Sequence, residues 1–127
     1  MSHWQSKTKL RSTDTQYSLY IRTKAHWICA RCGLNCSGDH QYLTTSHYHG
    51  RKKESVRFDE RNCQALCRKC HEFFEGRKES EYKPWLIERL GQREFDILLI
   101  DANTTGHRDD AMQKIINKEL LKSLEVK

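Results

Sequence analysis

Four of the six cysteines in this chain stand at metal-ligand spacing: Cys29-Ala-Arg-Cys32 and Cys67-Arg-Lys-Cys70 are both C-x-x-C, with 34 residues between the pairs. Each pair can offer two thiolates to one ion from a tight turn. Four sulfurs complete the tetrahedral shell of Zn²⁺ and leave no open position for catalysis, so the spacing predicts a structural zinc. A disulfide framework would need an oxidising compartment, and the first residues carry no secretory apolar stretch. A redox pair would need a thioredoxin-like βαβ pattern, which the sequence lacks. Cys36, in a Gly/Asn/Ser loop, and Cys63, before Gln64-Ala65-Leu66, are expected outside the zinc site, Cys63 as a small buried apolar residue.

Histidine moves protons and binds metals near neutral pH, and position sorts the seven present. His71 directly follows Cys70, on the helix that zinc would anchor, while His47 and His49 follow a candidate strand, Tyr42-Leu43-Thr44-Thr45. A zinc-pinned hairpin packed on a zinc-pinned helix would bring His47, Asn62 and His71 into one cleft, able to hold a second metal.

These residues carry a family resemblance. Ser46-His47 and the run Asn62-Cys-Gln-Ala-Leu-Cys67-Arg-Lys-Cys70-His71 resemble the HNH nuclease pattern in its zinc-stapled form. Asp14 to Arg22, Cys29 to Gly33, His47-Tyr48, Arg57 to Asn62 and Tyr82 to Gly91 resemble, in order and spacing, the lambda-type NinG (Rap) recombination endonucleases of phages. The resemblance implies a ββα-metal, treble-clef-like core and divalent-metal-dependent DNA cleavage, with branched recombination intermediates such as Holliday junctions as substrate. It implies His47 as general base, Asn62 as a residue that ligates or positions the ion or orients the base's loop, and His71 as a ligand of catalytic Mg²⁺ or Mn²⁺. Two positions depart from the pattern. Ser46 stands where many HNH enzymes have Asp or His, so water or His49 is expected to replace that ligand. His71 stands where NinG-like sequences tend to have Asn.

Arg51, Lys52, Lys53 and Arg57 flank His47 on the expected hairpin loop. On the nuclease reading they contact phosphates, which gives salt-sensitive binding with little sequence preference. The chain's 23 Lys+Arg against 17 Asp+Glu and its pI of about 9.1 suit an acidic partner. The excess is uneven: six Lys/Arg against one Asp in residues 1–38, nine against seven acids in 39–80, eight against nine in 81–127.

At 127 residues the chain has room for one domain, which excludes an enzyme with a separate cofactor fold. A hydrophobic fraction of 36% and a mean hydropathy of −0.90 are low for burying a self-sufficient core, so a metal staple is expected. No apolar run approaches a membrane span, and a cytoplasmic, phage-encoded protein with no membrane partner is the expectation.

The elements that must position the histidines follow from periodicity. Residues 1–12 read as a mobile basic arm. A helix starts near Asp14, with Ser12 or Asp14 as cap and Tyr17, Tyr20 and Ile21 on its apolar face. The strand at Tyr42–Thr45 is expected to pair with one around Val56-Arg57-Phe58. Helices follow over Cys67–Glu75, ended by Gly76, and over Pro84–Leu90, ended by Gly91; Phe95–Ile100 favours helix. Met112, Ile115, Ile116, Leu120 and Leu124 form a helical stripe expected to pack on the core, or else on a second copy or another protein. The expected architecture is α+β: a nuclease domain over 13–100 with the four-cysteine site, and a helical extension over 101–127. The rival readings are an HNH enzyme with a nicking, packaging, homing or restriction role, and a treble-clef zinc module that binds DNA or protein without cleaving.

Overall fold

Six consecutive residues, Asn62 to Cys67, are buried. A run covered on both faces, with β-compatible residues and no polar alternation, makes a central strand. In the computed structural model, which describes residues 10–104, 106 and 109–125, this is β2 (Cys63–Cys67), antiparallel to β1 (Leu43–His47). Leu43 faces Cys67 and His47 faces Cys63 across the pair. The partner strand expected at Val56-Arg57-Phe58 is therefore wrong. Those three residues are all buried, without alternation, around a 3₁₀ turn at Glu54–Val56.

The fold is α+β. Around the hairpin lie α1 (Ser12–Lys24), α2 (Arg68–Phe74), α3 (Lys83–Leu90), α4 (Gln92–Ala102) and α5 (Asp110–Ser123), with a π-helical turn at Lys78–Tyr82 before α3. Tyr17, Tyr20 and Ile21 bury one face of α1 in the core with Leu43, Leu66, Phe74, Tyr82, Leu86 and Phe95. α1 begins at Ser12, so Ser12 is not its cap. Asp14, in the first turn, accepts the Arg11 backbone N–H at 2.7 Å instead. Gly76 (φ +77°) ends α2, and Gly91 (φ +89°) separates α3 from α4, both by left-handed geometry that glycine takes without strain. Among the described residues no helix is long and apolar enough to cross a membrane. The arm expected over 1–12 lies mostly outside the described residues.

α5 buries only the C-terminal part of its apolar stripe. Gln113 and Asn117 are its buried residues, while Met112, Ile115 and Ile116 are 54, 58 and 38% exposed. Polar contacts with α1 set the rotation. Asn117 Nδ2 donates to the Thr13 carbonyl at 3.0 Å, Gln113 Nε2 to Asn117 Oδ1 at 2.8 Å, and Thr13 Oγ1 to Asp110 Oδ1 at 2.7 Å. Only Leu120, Leu121 and Leu124 pack against the core, and these are half-buried.

Arg57 is the largest fully buried side chain, 1% exposed. Its Nε and Nη2 bind Asp14 Oδ1 and Oδ2 at 2.8 and 2.6 Å, and its Nη1 binds Glu54 at 3.0 Å. Glu54 also takes Arg11 at 2.8 Å. This network ties α1 to the loop that follows β1. Burial pushes the Asp14 carboxyl up, but the Arg57 and Arg11 hydrogen bonds and the Arg51 charge prevail and hold it below its ordinary 3.8. Asp14→Ala is expected to remove about 3–5 kcal/mol, because it strands a buried charge. A carboxylate with a lowered folded-state value stabilises fully above pH 3.8 and loses that contribution as pH falls through the folded value. Urea titration should therefore show the gap between wild type and variant at pH 7 closing at strongly acidic pH.

Candidate metal centre and histidine cleft

The first cysteine pair sits in a knuckle closed by the Gly33 N–H to Cys29 O bond (3.0 Å), with Gly33 at φ +79°. The Ala30 N–H donates to Ala65 O at 2.8 Å, hanging the knuckle on β2. Cys67 closes β2 and precedes α2, which carries Cys70. The four Sγ atoms of Cys29, Cys32, Cys67 and Cys70 lie within 4.8 Å of one another. Cys32 and Cys67 sulfurs are 3.7 Å apart, against the roughly 3.8 Å edge of a tetrahedron with ~2.3 Å Zn–S bonds. The donor set thus fits a tetrahedral ion such as zinc. Burial raises the Cys29 thiol, but backbone N–H groups of Cys32, Cys67 and Arg31 outweigh it and bring it to about 7. Burial raises the Cys70 thiol to about 12, against the pull of Arg31 Nη1, which points at its Sγ from 3.4 Å and favours the thiolate. Cys36 and Cys63 lie outside the cluster and send their S–H groups toward the Leu34 and Arg57 carbonyls, both at 3.8 Å.

At the far end of β1 an open cleft of about 200 Å³ is lined by residues that include His47, His71, Glu75, Lys78 and Tyr82. Hydrogen bonds assign the ring tautomers. His47 Nε2 is 3.0 Å from the Arg57 carbonyl; a carbonyl only accepts, so Nε2 carries the proton and the lone pair lies on Nδ1. Thr44 gives its single hydroxyl hydrogen to Leu66 O at 2.7 Å, so it accepts from His71 Nδ1 at 2.7 Å and the His71 lone pair lies on Nε2. Burial, then the Arg51 charge, lower His47 to about 4; the same two causes lower His71. Both rings are neutral at pH 7.

Asn62 is fully buried behind the cleft. Its Oδ1 accepts the His49 N–H at 2.7 Å, and its Nδ2 donates to His49 O at 2.8 Å and Val56 O at 3.2 Å. This geometry matches orientation of the loop after His47 and not ligation, since the whole amide is engaged by backbone. His49, expected as a substitute for a ligand at Ser46, keeps a buried Nε2 with no hydrogen-bond partner among the described residues. Its ring is buried at 8% exposure, edge-on to Tyr48 at 4.9 Å, and does not line the cleft. Ser46 itself is hydrogen-bonded to the Tyr82 hydroxyl at 2.9 Å.

The four expected phosphate contacts divide. Arg57 is wrong for that role: its guanidinium is buried on Asp14 and Glu54, where no phosphate can reach. Arg51 is half-buried, 3.8 Å from Asp14, and its charge is felt by both histidines. Lys52 and Lys53 are exposed, and Lys53 Nζ donates to Asn103 Oδ1 at 3.1 Å. Sequence reasoning missed Glu75 and Lys78. Glu75 stands four residues after His71, a spacing that could have signalled a shared helix face; Lys78, 4.7 Å from the Tyr48 ring centroid, had no such signal.

The family model for NinG, described as "Bacteriophage Lambda NinG protein", matches residues 4–127. No curated protein and no solved structure matches the chain significantly.

Proposed function

The chain belongs to the bacteriophage lambda NinG family, and from that premise we propose that it is a divalent-metal-dependent DNA endonuclease of the HNH type acting on branched recombination intermediates. The observation that carries this reading is the pair of neutral imidazoles, His47 and His71, each oriented by a hydrogen bond and both lining one cleft beside Arg51 and Lys78.

His47 Nδ1 takes the proton of the attacking water, with the Arg57 carbonyl holding the ring in the tautomer that leaves that lone pair available. Arg51 and Lys78 bind the scissile phosphate. His71 Nε2 and the Glu75 carboxylate would hold Mg²⁺ or Mn²⁺, ions that keep several waters and need few protein donors. When bound, the ion supplies positive charge to the phosphoryl and leaving oxygens. A zinc held by Cys29, Cys32, Cys67 and Cys70 would fasten the hairpin to α2 and take no part in the chemistry. Self-association or a protein partner would use the exposed Met112, Ile115 and Ile116.

The test is cleavage of four-way junction, nicked and linear duplex DNA with Mg²⁺, with Mn²⁺ and with neither. Metal-dependent cutting that prefers the junction is expected. DNA binding without cleavage under any divalent ion would establish the non-catalytic zinc-module reading instead. The pH profile adds a sharper criterion. A base with its folded value near 4 is deprotonated throughout the neutral range, so the rate should be flat from about pH 5.5 upward and fall only near pH 4. An acid limb at 6.5 would mean that the base is an unperturbed histidine.

A further inference from the structure

Eight arginines around the hairpin and α2 differ in what holds them. Arg11, Arg51, Arg57 and Arg61 sit on carboxylates. Arg22, Arg31, Arg68 and Arg77 have no ion-paired carboxylate among the described residues, yet each is held in place. Arg22 lies 4.9 Å from the Trp27 ring centroid and donates to the carbonyls of Ser18 (3.2 Å) and His40 (3.4 Å). Trp27 is in turn stacked on His40, rings 3.7 Å apart and 5° from parallel. Arg31 and Arg77 both stack on Phe73, at 4.0 and 4.6 Å. Arg68 donates to the Gln41 carbonyl at 3.4 Å.

These groups are contiguous. Arg22 and Arg68 reach the same turn at His40–Gln41. Arg68 and His71 line one small concavity with Thr44 and Glu72, Glu72 being its one carboxylate. Arg77 lies between Gly76 and Lys78, which line the histidine cleft. The band therefore runs along α2 and flanks the cleft. At about 1.5 Å per residue, α2 is about 10 Å long, so its two ends can meet neighbouring phosphates of one strand. The backbone under Trp27 is strained where α1 ends and the cysteine knuckle begins. His26 and Trp27 are consecutive non-glycine residues at φ +56° and +61°, conformations that cost about 1–3 kcal/mol each and are kept where surroundings demand them. A guanidinium packed on a ring loses little freedom on binding, and the N–H groups not already given to Ser18, His40, Cys70 or Phe73 remain for phosphate oxygens.

On the DNA-cleaving reading, we infer that this arginine band is a second DNA-binding surface, which grips the phosphate backbone of the duplex arm leading into the histidine cleft. It acts on charge and backbone shape, without reading bases.

The test is fluorescence anisotropy with a labelled four-way junction and a linear duplex, without added divalent ion, from 50 to 200 mM NaCl. Removing one phosphate-binding arginine should lower the slope of log affinity against log salt by about 0.9. The quadruple variant Arg22→Gln, Arg31→Gln, Arg68→Gln, Arg77→Gln should lower that slope by about 3 to 4. Arg68→Gln alone, exposed and making one carbonyl bond, should lower it by about 1 while zinc content and melting stay as in wild type. An unchanged slope in both, or a wild type that does not bind DNA, overturns the inference. A wild type that binds with the arginine-dependent slope but never cleaves supports it while removing the endonuclease reading.

Discussion

Cys67→Ala is expected to unfold the domain. Structural zinc in small domains contributes on the order of 10 kcal/mol to folding, as much as the whole net stability of a typical domain. Cys67 is also 1% exposed and joins β2 to α2, so no solvent-side rearrangement can restore the fourth ligand. Cys36, 3% exposed and outside the cluster, is turned to the Leu34 carbonyl and is no substitute. Elemental analysis should find one zinc per wild-type chain and less than one in the variant, with the cooperative melt lost. Cys63→Ala is the control: it should keep full zinc and melt cooperatively, a few degrees lower. Stoichiometric zinc and a wild-type melt in Cys67→Ala would sink the structural-staple account.

His47→Ala is expected to lower junction cleavage by about 10² to 10⁴-fold, the usual contribution of a positioned base. The fold should survive, because the ring's one hydrogen bond goes to the Arg57 carbonyl, toward which the Cys63 S–H also points. Zinc content and DNA affinity should match wild type, placing the loss in kcat and not in binding. A variant that cuts at the wild-type rate would move the base elsewhere, and His71 would then be the residue to replace.

The parts of this site that are legible in the sequence are those whose chemistry is set by local spacing. Two C-x-x-C pairs announce their cluster, and His71 is carried to the cleft by the helix that Cys70 begins to anchor. Asn62 is harder. Its position is readable by resemblance, but its choice between ion and loop depends on where the His49 backbone passes, which only the folded chain decides. Arg57 shows the opposite failure. Beside three other basic residues it looks like part of a solvated phosphate-binding loop; what buries it is Asp14, 43 positions earlier, and no local pattern encodes that pairing. The true partner of β1 is illegible because β2 is buried on both faces, Gln64 included, a run that could equally be helix until β1 pairs with it. For α5 the apolar stripe is the wrong guide: Gln113 and Asn117 satisfy each other and a backbone carbonyl of α1, so an inward polar face carries no unmet hydrogen bond to forbid it.

A two-stranded ladder of five residues each is too short to hold itself in phase. Here Asn62 clamps β2 just before Cys63, and an ion held by the four cysteines would clamp it at Cys67. Such an ion would be an alignment pin for His47, which faces Cys63 at the opposite end of the same ladder. A slip of a single position would shift the imidazole by about 3.3 Å and turn it to the other side of the sheet. Depletion of zinc should therefore silence the histidine cleft in any chain that stays collapsed, ahead of the loss of its helices.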